Sequence, residues 1–258
     1  MSEQPLRVMT VFGTRPDTIK MAPVVEALER ARPAVDPIVC VSAQHRQMLD
    51  ELLELFSITP DFDLDVMQEQ QTLVQITSRV LERLDAVLDD AKPDVVLVHG
   101  DTSTSTAAAL AAFYHKIPVG HVEAGLRTDD RYEPFPEEIN RRMTGVLASY
   151  HFAPTEIAKA NLLREGIDPN DIAVTGNTVI DAFLETAGRV KDQVPPQWAR
   201  LDSSRPVIFV TAHRRENHHA MRDIALAMKE IAALPERPQI VWPVHPSPHV
   251  APVVRAVL

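Results

Sequence analysis

Short continuous apolar runs alternate along this chain with longer stretches of helical period, and that alternation restricts its fold more than any other feature. The runs are LRVMTVF (6–12), PIVCVS (37–42), DVVLVHG (94–100), IPVGHVEAG (117–125), HFAPT (151–155), IAVTG (172–176), VIFVTAH (207–213) and QIVWPVH (239–245). Between most of them lies a predicted helix, such as 72–90 with Leu73, Ile76, Val80, Leu84 and Val87 on one face. Strands that are apolar throughout, rather than at every second residue, belong to a sheet buried on both faces. The pattern therefore predicts an α/β fold of doubly wound parallel sheets covered by helices on both sides.

The stretch KDQVPPQWARLDSSRP (191–206) interrupts the alternation, and GNTVID restarts a helix straight from a turn. These features predict two domains, 1–176 and 177–258. The second holds only two strand candidates before VVRAVL, where a helical pattern stops without a cap, so it is expected to be cut short.

Composition narrows the function classes. A formal net charge of -10 disfavours a broad basic face for nucleic acid or an anionic membrane. No apolar run reaches the roughly 20 residues that span a bilayer, and the N-terminus lacks the pattern of a signal peptide, so a cytoplasmic protein is expected. The single cysteine, Cys40, lies inside an apolar run and reads as a small buried hydrophobe. No metal site is expected.

In open parallel sheets, ligands bind beyond the carboxyl ends of the strands. After the first strand come Gly13, Thr14, Arg15, Pro16, Asp17 and Lys20, a helix start with a guanidinium beside it that suits an anion. Asp17 taken alone reads equally well as an acid that complements the helix dipole. HGDTSTST places Asp101, Thr102 and Ser103 after another strand, where a helix cap is the ordinary account. HVEAGLRTDDRYEPFPEEINRR brings His121, Glu123, Arg127, Glu137, Glu138 and Arg141. Glu123 follows an apolar run, a costly place for a carboxylate unless it is paired or used. Glu138 reads as a first-turn helix acid. After 207–212 come His213, Arg214, Arg215, Glu216 and Asn217. Four strand ends with such groups predict a ligand crevice. Only 8 glycines occur, with no Gly-x-Gly-x-x-Gly after the first strand and no Walker loop, so ordinary dinucleotide and ATP readings lose support. Arginines for phosphate and carboxylates for proton transfer suit a phosphorylated or nucleotide-linked sugar.

The segments VFGTRPDTIKMAP, VSAQHRQML, DVVLVHGDTSTS, IPVGHVEAGLRT, PFPEEINRR, GNTVID and TAHRRE, in this order, resemble the non-hydrolysing UDP-N-acetylglucosamine 2-epimerases over essentially the whole chain. The resemblance implies a glycosyltransferase-B type of fold and a place in polysaccharide biosynthesis. It also implies interconversion of UDP-N-acetylglucosamine and UDP-N-acetylmannosamine without a cofactor. UDP is eliminated to give 2-acetamidoglucal and then re-added, with the proton delivered to the other face of C2. By motif position it implies Asp101, Glu123 and Glu137 as acid/base carboxylates. His213, Arg15 and Lys20 would handle the phosphates, Asp17 would organise them from the helix start, and Arg141 would position a carboxylate. Gln44, His45, Arg46 and His245 match the region where bacterial members bind a second UDP-N-acetylglucosamine as activator, and a homodimer is expected. Family members usually carry Glu where this chain has Asp17. They also continue for roughly another hundred residues, which complete a second domain and carry the grip on uridine and ribose. The alternatives are a catalytically silent sugar-nucleotide-binding remnant, a hydrolysing 2-epimerase, and a glycosyltransferase of the same fold.

Overall fold

A computed structural model describes residues 4–43, 46–68, 71–196, 198–213, 215–245 and 247–258, without the side chains of residues 46–48, 215 and 216. The chain divides into two compact units, Met1–Arg189 and Val190–Leu258. Among the described residues the first contains seven strands: β1 (Leu6–Phe12), β2 (Val35–Val41), β3 (Phe62–Asp63), β4 (Val95–His99), β5 (Val119–Val122), β6 (Tyr150–Ala153) and β7 (Ile172–Val174). All pair in parallel in the order β3-β2-β1-β4-β5-β6-β7. The connecting helices are α1 (Arg15–Arg30), α2 (Arg46–Leu55), α3 (Leu73–Ala91), α4 (Ser103–Tyr114), α5 (Glu137–Leu147), α6 (Glu156–Arg164) and α7 (Thr178–Val190).

Strand β1 shows why the apolar runs are continuous. Met9 and Val11 pack into one cluster with Ile76, Val80, Leu84 and Leu88 of α3 and the alanines of α4. Val8 and Phe12 enter a second cluster with Met21 and Val25 of α1 and Leu49 and Leu53 of α2. Successive side chains of a strand point to opposite faces, and here both faces are covered. Cys40 is fully buried in the first cluster, where burial pushes its thiol up to about 12 and keeps it from ionising. On α3 the buried stripe is Ile76, Val80, Leu84, Leu88 and Ala91, whereas Leu73 is exposed and Val87 only flanks the cluster. Helix α4 carries alanine at 107, 108, 109, 111 and 112, all buried, and such small side chains allow it to pack closely against its neighbours.

The sequence reading closes the first domain at residue 176, but the compact unit extends to Arg189 and takes in α7. Within this unit Arg189 donates to the Leu55 carbonyl at the end of α2, an anchor that a turn-based boundary does not register.

The second unit contains parallel strands β8 (Val207–Phe209) and β9 (Gln239–Val241), with helices α8 (Met221–Ala232) and α9 (Ala251–Val257). Its small core joins Met221, Val250 and Val254 with Trp242 and Val244 packed against them. Among the described residues no helix is long and apolar enough to cross a membrane.

Candidate functional site

The order of the first sheet reverses between β1 and β4, which run outward from each other in sequence, and in open parallel sheets the carboxyl ends at such a switch point are where ligands bind. Gly13 leaves β1 so close to β2 that a Cβ there would lie 1.8 Å from Ser42 Oγ. Only glycine fits this approach. Thr14 then caps α1, with Arg15 and Pro16 as its first two helical residues. Asp17 is fully buried and accepts from the backbone N–H groups of Gly13 and Thr14, each at 3.3 Å, and from the Thr14 hydroxyl. Its carboxyl is pushed up to about 7 by burial, against the opposing pull of those backbone donors. Asp17 thus holds the Gly13–Thr14 turn from within, directly before Arg15. Arg15 is exposed at the helix start.

Lys20, one turn further along α1, reaches the end of β5 and donates to both oxygens of Glu123, at 2.6 and 2.7 Å. As placed here its ammonium serves a carboxylate. Glu123 has a left-handed backbone, φ 64°, which turns the chain sharply out of β5. Asn177, between β7 and α7, donates from Nδ2 to Glu123 Oε1 at 2.6 Å. His99 Nε2 lies 3.3 Å from Glu123 Oε2 without making a hydrogen bond. Burial acts to raise the Glu123 carboxyl, but His99, Lys20 and Asn177 together outweigh it and hold the group below the usual glutamate range. Burial also drives His99 down to about 4.

Asp101 lies one residue past the Gly100 turn (φ 61°) at the end of β4. The helix cap there is Thr102, whose Oγ1 accepts from Ser105 N, and Asp101 is left to meet Arg141 of α5. Arg141 Nη2 is 2.8 Å from Asp101 Oδ2, and Asn140 Nδ2 donates to the Asp101 carbonyl at 2.9 Å. Burial raises the Asp101 carboxyl; Arg141 opposes this, while the charges of Glu137 and Glu123 add to it. The two carboxylates are therefore displaced in opposite directions, Asp101 toward its protonated form and Glu123 toward its ionised form.

Glu137 opens α5, half-buried, and its carbonyl accepts from Arg141 Nε at 3.4 Å. Glu138 is more than a first-turn acid. It is fully buried and accepts from Arg142 Nε at 2.9 Å and Thr128 N at 3.1 Å, so it ties the loop before α5 to the helix. Arg127 makes two bonds to Glu165, at 2.7 and 2.6 Å, anchoring the same loop to the end of α6. His121 is also structural: its Nε2 donates to the Gly100 carbonyl at 2.7 Å, and burial drives it down to about 3.

Arg15, Asp17, Lys20, Asp101, Glu123, Glu137 and Arg141 thus all lie just past strand ends or within the first two turns of helices of the first unit. His213 and His245 belong to the second, where their rings stack with centroids 5.2 Å apart. Gln44, His45, Arg214 and the Arg46 side chain lie outside the described residues. Two further groups lie against Glu123 that the charged-residue pattern does not single out, His99 and Asn177. Each sits inside one of the motifs, HGDT or GNTVID, and a polar residue next to a glycine at a strand end is the signal the sequence carries.

A family model described as UDP-N-acetylglucosamine 2-epimerase matches residues 26–258. A UDP-N-acetylglucosamine 2-epimerase of Salmonella typhimurium is 54% identical, over 98% of this chain and 69% of its own length. That of Bacillus subtilis is also 54% identical, over 94% of this chain and 63% of its own. Among solved structures, the Neisseria meningitidis UDP-GlcNAc 2-epimerase bound to UDP-GlcNAc aligns with TM-score 0.89 at 49% identity, covering 98% of this chain and 70% of that one. A lipopolysaccharide outer core galactosyltransferase, 12% identical with TM-score 0.50, shares the fold alone. The architecture is of the glycosyltransferase-B type.

Proposed function

Because the chain belongs to the UDP-N-acetylglucosamine 2-epimerase family, we propose that it interconverts UDP-N-acetylglucosamine and UDP-N-acetylmannosamine by eliminating UDP across C1–C2 and adding it back. The observation that carries this reading is the pair of carboxylates at neighbouring strand ends with opposed displacements, Asp101 upward and Glu123 downward. Epimerisation through an unsaturated sugar needs a base that removes the C2 proton from one face and an acid that returns one to the other. Glu123 is held ionised for the first task. Asp101 retains its proton further up the pH scale for the second, with Glu137 beside it as the further acid/base group. The C2 hydrogen of a sugar is not acidic, so C1–O cleavage must lead and the departing diphosphate must be neutralised. Arg15 at the start of α1 suits that role, and Lys20 joins it when the ligand draws it from Glu123. The resemblance implies a phosphate-handling role for His213 as well.

We further propose that a second UDP-N-acetylglucosamine acts as activator, for which the resemblance implies Gln44, His45, Arg46 and His245, that the protein works as a homodimer, and that it acts in the cytoplasm. Initial rates that depend sigmoidally on UDP-N-acetylglucosamine, and the mass in sedimentation equilibrium, test the first two.

The decisive experiment incubates the chain with UDP-N-acetylglucosamine in D2O and follows C2 by NMR. Deuterium at C2 together with UDP-N-acetylmannosamine is the expected result. Folded protein that leaves C2 fully protonated overturns the proposal, and release of free N-acetylmannosamine with UDP would assign hydrolysis instead.

A further inference from the structure

The Asn177 side chain holds two partners at once, and they fix its orientation. Its Oδ1 accepts from Val179 N at 3.0 Å, the bond by which an asparagine caps a helix start, here that of α7. Its Nδ2 is thereby left to donate, and it donates to Glu123 Oε1 at 2.6 Å. Gly176, with φ 80°, makes the turn that brings Asn177 to this place. The other groups around the carboxylate are Lys20, His99 and, through its charge, Asp101. Lys20 bonds to both oxygens through a flexible stem. Asn177 reaches only one oxygen, from a short side chain whose other end is already bound.

We propose that Asn177 is a positioning residue for Glu123: it fastens the carboxylate to the start of α7, so the helix through which the chain leaves the first unit sets the orientation of the base. When substrate phosphates draw Lys20 away, Asn177 is the donor that keeps Glu123 in place. The inference rests on Glu123 being the proton-transferring carboxylate.

Two substitutions separate the cap from the carboxylate contact. Asn177→Ser and Asn177→Asp both retain an acceptor for Val179 N–H, and neither presents an amide donor to Glu123. Glu123 is followed by carbon NMR of its carboxyl in glutamate-labelled chain, assigned by loss of the signal in Glu123→Gln. The expected result is a Glu123 titration moved to higher pH in both variants, further in Asn177→Asp, with helix content and urea midpoint near those of the parent. Turnover should fall about ten- to a hundredfold while KM changes by about twofold or less, the size expected for losing a hydrogen bond to a charged group. A Glu123 titration that is the same in all three proteins overturns the proposal and leaves Asn177 as a helix cap. Should the parent chain show no epimerisation, the NMR comparison still decides the positioning role, and the functional reading fails separately.

Discussion

Arg141 Nη2 stands 2.8 Å from Asp101 Oδ2, and its Nη1 is 3.7 Å from Glu138 Oε2. One buried guanidinium therefore serves two acids, one in the crevice and one wholly inside the unit. Replacing Arg141 by leucine should raise Asp101 further and leave Glu138 with Arg142 and the Thr128 N–H. A stability loss of about 3 kcal/mol is expected in urea unfolding, the lower end of what breaking a buried pair costs, because Glu138 keeps partners. Arg141→Lys should recover only part, since an ammonium lacks the two-pronged geometry.

Glu123→Gln should abolish deuterium incorporation at C2 while leaving the fold intact. An amide of nearly the same shape can still accept from Lys20 and Asn177, but it can take no proton. The expected loss in turnover is about a hundredfold or more, read by NMR in D2O. Exchange at the parent rate would remove Glu123 from the mechanism.

Gly13→Ala should destabilise the protein by about 1–3 kcal/mol through overpacking. The new methyl would fall 1.8 Å from Ser42 Oγ, 2.9 Å from Ser42 Cβ and 3.0 Å from Ser42 N. The double variant Gly13→Ala with Ser42→Gly should recover part of the loss, because the hydroxyl and Cβ are gone but the backbone nitrogen remains. Urea midpoints of the two single variants and the double variant measure the coupling.

Stability should fall as the pH drops from about 6.5 toward 4. His99 and His121 are held neutral by burial, at about 4 and about 3, whereas an unfolded imidazole protonates near 6.5. The unfolded chain therefore binds more protons in this window, and stability rises with pH across it. His121→Gln, which can still donate to the Gly100 carbonyl, should flatten this acid limb in urea titrations at a series of pH values.

Asp17 works in the opposite direction. Its folded carboxyl sits at about 7 against 3.8 unfolded, so the folded state holds the extra proton between those values. The stability this contributes is present below about pH 4 and lost as the pH rises through about 7. Asp17→Asn keeps a carbonyl acceptor for Gly13 N–H and Thr14 N–H and removes the titration. The variant should gain stability relative to the parent on going from pH 5 to pH 8, in the same unfolding series.

The sequence by itself determined the kind of fold and the places where chemistry could sit. Strand-length apolar runs separated by helical periods admit few arrangements other than a parallel sheet covered on both faces, and the residues after each run then stand at the ligand-binding edge. Strand β1 falls at 6–12 as the apolar run predicts, Asp101 and Glu123 were legible as charged groups just past apolar strands, and Lys20 as one on the helix that follows β1. Tertiary structure alone decided the partnerships. Lys20 meets Glu123 across 103 residues and Asn177 meets it across 54, because the sheet order places those strand ends together. It also decided that Asp17 lies beneath the turn, that Glu138 is a buried tie, and that α7 packs with the first unit. Periodicity reports which face of an element is buried, whereas hydrogen bonds between side chains depend on which elements become neighbours. Long-range strand order, which no local pattern encodes, fixes those neighbours.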